Sequence, residues 1–190
     1  VCLVSEPMRD NKNIFKNDSI ENSCIKLVKF SIDFCIENNL NFIFATKYQN
    51  SKQVEEELDF FKPHLKVRQL EYLLLNMNKK KNIYSSYEAL LQSKVAVGWT
   101  STLLSDKIGL SEKILSCNFS NFEAWDFPLD GICSFKDKDY QSFSERLKLI
   151  LDLNHLDYFN KIEKNPNFVM NFDKNESVVE KTRKILKNNI

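Results

Sequence analysis

The chain has three glycines and four prolines in 190 residues. That scarcity excludes collagen-like repeats, low-complexity tracts and long flexible linkers, and predicts compact order throughout. It also removes the glycine-dependent motifs: there is no G-x-x-x-x-G-K-[ST] loop, no G-x-G-x-x-G turn and no G-x-S-x-G elbow. P-loop, simple dinucleotide and hydrolase readings lose ground accordingly. No stretch approaches the roughly 18 to 20 apolar residues that span a bilayer, and the first residues lack the segments of a signal peptide. An excess of one charge is missing too, since 27 Lys and Arg face 26 Asp and Glu. The chain as a whole is therefore not polyanion-seeking, and no nucleic-acid partner is expected.

The five cysteines, Cys2, Cys24, Cys35, Cys117 and Cys133, are odd in number, lack a C-x-x-C pair and mostly sit in apolar runs. They read as reduced core thiols, which points to a reducing compartment. A cytoplasmic location is expected, with the inner membrane face as one place for it. His64 and His155 have no partner at ligand spacing, so no metal site is expected. The first residue is Val1, already in a strand-like run, and the chain reads as part of a longer protein.

What is present is an alternation of short apolar runs and amphipathic helices. Cys2 to Ser5 predicts a strand, Glu6 to Asp18 a polar loop, and Ser19 to Asn38 a long helix with a broad apolar stripe. Asn41 to Thr46 predicts a second strand. Ser51 is the expected N-cap of a helix over Lys52 to Phe61, which Pro63 ends, and Leu65 to Leu70 reads as a third strand. The Lys79-Lys80-Lys81 run reads as a turn. Then come a helix over Tyr84 to Gln92, a strand over Lys94 to Gly98, a helix over Ser101 to Gly109 and a strand over Lys113 to Cys117. A loop from Asn118 to Asp130 leads to a last strand, Gly131 to Phe135, and to a helix from Asp139 to Leu153. Helical segments over His155 to Lys164 and from Ser177 onward close the chain.

This order predicts an α/β fold, a Rossmann-like, doubly wound, mostly parallel sheet covered on both faces. Residues 1–153 form that domain in this reading, and 154–190 form a helical extension packed on it. Such sheets bind ligands outside the carboxyl ends of their strands. The buried run Val95-Ala96-Val97-Gly98 delivers Thr100, Ser101 and Thr102 to one such end, where the next helix presents free backbone N–H groups. A phosphate or pyrophosphate suits that place if an open crevice adjoins it, with Gly98 keeping the turn open. The plainer alternative is that the hydroxyls only cap the helix.

Asp106, one turn further on, is a candidate for a sugar hydroxyl or a solvated carboxylate, and Ser105 and Lys107 beside it read as surface. Arg9, Lys47 and Tyr48 follow the first two strands and are further candidates at the carboxyl edge. In the aromatic loop, Phe119, Phe122, Trp125 and Phe127 either stack on a ligand or pack on their own domain, with Asp126 as a hydroxyl-orienting group.

The segments Ser85 to Thr102, Lys113 to Cys117, Asp126 to Gly131, Phe143 to Leu147 and Phe168 to Phe172 together resemble surface-carbohydrate or O-antigen biosynthesis proteins, which look like GT-B glycosyltransferases. The resemblance implies that the chain is the C-terminal, nucleotide-sugar-binding half of a two-domain enzyme. It also implies that Thr100, Ser101 and Thr102 contact the donor phosphates and that Asp106 meets the ribose. In that scheme the nucleotide-diphosphate sugar is the donor substrate and no separate cofactor or metal is required. The partner is an N-terminal domain of the same protein, and that half supplies the catalytic base, so no catalytic residue is named. The fragment alone is expected to bind without turnover. Relatives usually carry Glu where Asp106 stands, and a Gly-Lys pair where Ser111 and Glu112 stand. A nucleotide-sugar 2-epimerase-like domain and a non-catalytic α/β interaction module are the alternatives.

Overall fold

The computed structural model describes residues 1–8, 19–48, 50–78, 84–166 and 169–170. Arg9, the Lys79 to Lys81 run, Phe168, Phe172 and the segment from Ser177 lie outside the described residues. Among the described residues five strands form one sheet: β1 (Cys2–Val4), β2 (Ile43–Ala45), β3 (Val95–Gly98), β4 (Lys113–Cys117) and β5 (Ser134–Phe135). Their order is β2-β1-β3-β4-β5 and every pairing is parallel. The fold is the expected Rossmann-like α/β arrangement, and strand order reverses between β1 and β3, where doubly wound sheets open a crevice.

Among the described residues seven helices accompany the strands, five between them and two after the last: α1 (Ser19–Glu37), α2 (Ser51–Phe61), α3 (Val67–Leu75), α4 (Ser85–Gln92), α5 (Thr102–Gly109), α6 (Tyr140–Asp152) and α7 (His155–Phe159). Leu3 and Phe44, register partners in β1 and β2, belong to the main core. Phe30 and Phe34 of α1 meet Phe143 of α6 there, and Phe30 also meets Phe119, with ring centroids 5.6 to 6.4 Å apart. A second cluster holds Cys2, Ala45 and Ala89, small side chains that let α4 lie close to the sheet. All five cysteines are free and buried, as their apolar settings predict. Burial pushes the thiols of Cys2 and Cys133 up to about 12 and that of Cys35 to about 11, so they stay protonated core groups.

Several predicted elements are corrected. Leu65 to Leu70 is not a strand, because Val67 to Leu75 coils into α3. Its start is fixed by Gln69, whose Oε1 accepts the Lys66 N–H at 2.9 Å while its Nε2 donates to Asp33 on α1 at 2.8 Å. The buried Leu73 faces the core one turn beyond Gln69, a helical and not an alternating spacing. Asn50, not Ser51, caps α2, its Oδ1 accepting the Lys52 N–H at 2.9 Å. The last strand shortens to two residues and the helix from His155 to a turn ending at Phe159. These two contractions are linked. Where β5 is too short to pair with Ile114 of β4, the Tyr158 hydroxyl accepts the Ile114 N–H at 3.1 Å and donates to its carbonyl at 2.7 Å.

Lys107 is the largest departure, since it is fully buried and not on the surface. Its Nζ donates to the carbonyls of Leu90 and Ser93 at 2.6 and 2.8 Å, closing the C-terminal end of α4. Lys113 does the same for α6, reaching the carbonyls of Ile150 and Leu153 at 2.6 and 2.7 Å. A cation at a helix C-terminus complements the macrodipole and satisfies orphan carbonyls. Desolvation lowers the pKa of both lysines. Lys107→Met keeps the apolar stem and strands those carbonyls, so urea unfolding should show a loss of about 2–4 kcal/mol. A loss within the error of the wild-type measurement would contradict the capping role.

Candidate functional site

The turn after β3 sits at the strand-order reversal, beside the end of β1. Ser101 caps α5, its Oγ accepting the Leu103 N–H at 3.4 Å, and the Thr102 side chain is exposed. Gly98 is buried in β3, and a Cβ there would stand 3.2 Å from the Leu104 side chain. Its small size admits the α5 core residue under the turn. Thr100 is not free. Glu6, two residues beyond β1, brings its Oε2 within 3.0 Å of the Thr100 N–H and 3.1 Å of its Oγ1. A carboxylate oxygen of the chain itself thus takes the two donors that an external anion would seek.

Glu6 was not among the residues singled out by sequence. Only its position directly after a strand signalled it, and β1 must be known to neighbour β3 before that position carries meaning. Burial pushes the Glu6 carboxyl up, opposed by the Thr100 hydrogen bonds and by the charge of Lys47. The same pattern recurs after β2, where Glu57 of α2, also buried, accepts the Lys47 N–H at 3.0 and 3.3 Å. Lys47 is exposed, with its Nζ over the Tyr48 ring at 5.7 Å, and Tyr48 lines a surface hollow with Pro7, Glu56, Glu57 and Phe60.

The remaining predicted residues have partners of their own. Asp106 accepts from the Tyr87 hydroxyl at 2.9 Å, joining α5 to α4. That hydrogen bond raises the Tyr87 pKa. In the aromatic loop, Phe119 and Phe127 are core residues, and Trp125 leans on Trp99 with centroids 5.9 Å apart. Asn118 organises the loop, donating to Asp126 at 2.7 Å and to the Phe122 carbonyl at 2.9 Å. Asp126 also pairs with Lys136 at 2.5 Å. Desolvation would raise its pKa, but the Lys136 and Asn118 contacts outweigh it and hold the carboxyl below its ordinary value.

The structure therefore gathers Gly98, Thr100 and Ser101 with Glu6 and the charge of Lys47, while Asp106 and Asp126 are engaged with Tyr87, Asn118 and Lys136. Ser111 has φ of 62°, a conformation glycine adopts without strain. Glu112 approaches His155 Nε2 at 3.4 Å. Among the described residues no group of three His, Cys, Asp or Glu side chains is placed to hold a metal ion, and no helix is long and apolar enough to cross a membrane.

A family model described as "putative O-antigen biosynthesis protein" matches residues 3–189. The chain belongs to that family. No curated protein and no solved structure matches the chain. The O-antigen family match runs through both the β1 end, with Glu6, and the β3 turn, so the two halves of the Glu6–Thr100 contact fall within one family region.

The raised Glu6 pKa has a measurable consequence. A carboxyl raised above its ordinary value of 4.5 keeps in the native state a proton that the unfolded chain has already released. Its contribution to stability is whole below pH 4.5 and is lost as pH rises through the raised value. Denaturant midpoints of wild type and Glu6→Gln followed across that range should diverge, wild type losing ground with rising pH. Parallel curves would refute the assignment.

Proposed function

We propose that this domain binds the nucleotide-sugar donor of a glycosyltransferase that builds O-antigen or a related surface polysaccharide. The carrying observation is the turn after β3: hydroxyl side chains and the start of α5 stand at the carboxyl edge of a parallel sheet, at its strand-order reversal. Membership of the O-antigen family supports the polysaccharide setting.

In this reading the diphosphate lies over Ser101 and Thr102, and Lys47 contributes positive charge. Donor binding and charge stabilisation fall to this domain, and the acceptor side falls to an N-terminal domain. Glu6 sets the affinity. A phosphate that uses the Thr100 donors must displace the carboxylate, breaking two hydrogen bonds and placing two negative groups near each other. Donor affinity of the domain alone is therefore weak.

The Glu6 contact also favours a second reading. With the Thr100 donors already satisfied internally, the domain serves as a non-catalytic α/β module in polysaccharide assembly. Titration calorimetry with UDP, GDP, CDP and CMP separates the two. The donor-site reading expects one of them to bind, and Ser101→Ala or Thr102→Ala to weaken that binding by about 10- to 100-fold, the effect of a hydrogen bond to a charged group. Glu6→Gln should bind more tightly than wild type. Absence of binding to all four by both wild type and Glu6→Gln rejects the donor site and leaves the module.

A further inference from the structure

A polar anomaly adjoins the candidate site. Ser5 and Trp99, the residues that follow β1 and β3, are each 2% exposed. Ser5 Oγ and Trp99 Nε1 nonetheless have no hydrogen-bond partner in the protein. Buried polar atoms in native proteins are nearly always satisfied, and an orphaned indole N–H or hydroxyl carries a desolvation penalty. Both residues line one small, partly enclosed cavity of about 10 Å³, together with Glu6 and apolar side chains that include Leu27 and Val28 of α1.

We infer that a single buried water molecule occupies this cavity and bridges the Trp99 indole N–H, the Ser5 hydroxyl and the Glu6 carboxylate. Size and hydrogen-bond chemistry restrict the occupant. The volume matches about one water-sized sphere, the lower limit for holding a water molecule. An indole N–H only donates, an ionised carboxylate only accepts, and a serine hydroxyl does either. The bridging species must accept from Trp99 and donate to Glu6. Water does both, whereas an ammonium cannot accept and a small anion cannot donate. Wholly apolar cavities stay dry, but this one has three polar residues in its wall, within the two to four partners that a buried water requires.

The bridge gives Glu6 a second tether. Thr100 holds the carboxylate directly through its N–H and hydroxyl, and the water ties it to Trp99 and Ser5. Trp99 is thereby a positioning residue for Glu6. This holds whether or not a nucleotide binds over α5.

The test is nuclear magnetic resonance on the nitrogen-15-labelled chain, reading cross-relaxation from water to the two tryptophan indole protons, with Trp99 assigned by the peak lost in Trp99→Phe. The expected result is a Trp99 cross-peak to water with the sign of a molecule held longer than protein tumbling. Ser5→Val, which fills the cavity with methyl groups, should abolish it. A wild-type spectrum with no such peak, or with the sign of transient surface water, overturns the inference without any variant. Survival of the peak in folded Ser5→Val also overturns it. If Ser5→Val does not fold, Ser5→Ala replaces it: the peak should weaken with one partner gone, and an unchanged peak counts against the bridge.

Discussion

A parallel sheet with helices on both faces leaves two rows of unsatisfied backbone groups, and this chain closes both with ionised side chains. At the amino edge, where helices end and strands begin, the exposed groups are carbonyls. Glycine-based helix stops would usually turn the chain there, but glycine is scarce. Lys107 and Lys113 instead reach across to the carbonyls at the ends of α4 and α6. Arg146 does the equivalent before β5, its Nη1 donating to the carbonyls of Gly131, Ile132 and Ser134 at 3.2 to 3.3 Å. Burying such cations is costly, as the lowered lysine pKa values show, so their presence marks the positions where the backbone has no other closure.

The carboxyl edge is the electrostatic mirror image. There the exposed groups are amides, and carboxylates meet them: Glu6 at Thr100 and Glu57 at Lys47. An anion site of this fold draws on the same amides. Glu6 thus satisfies the Thr100 donors from within the chain.

Much of the architecture is legible in the sequence because local period and burial agree. From Tyr84 to Cys117 the apolar runs and caps mark each element to within a residue or so of its observed bounds. Leu65 to Leu70 misleads because Leu65, Val67 and Leu70 suit a strand when the window stops there. Extending it to Leu73 reveals the helical spacing, and the decisive partner, Asp33, lies 36 residues away. The site divides in the same manner. Thr100, Ser101 and Thr102 are readable as a hydroxyl turn from their own neighbours. Glu6 is 94 residues from Thr100, and only strand order brings them together. Lys107 reads as surface because nothing local announces that α4 ends with open carbonyls beside it.

Helix α5 joins these two edges mechanically. It has eight residues, with the hydroxyl turn at one end, Leu104 packed under Gly98, and Lys107 near the other end bound to the terminus of α4. Asp106 adds a hydrogen bond to Tyr87 of the same neighbour. A helix this short, held at its core face and its far end, cannot tilt toward a ligand without breaking a buried lysine cap. On the facing side Glu6 meets the turn with a single side chain from the segment after β1, and its two hydrogen bonds to Thr100 tie the ends of β1 and β3 together across the strand-order reversal.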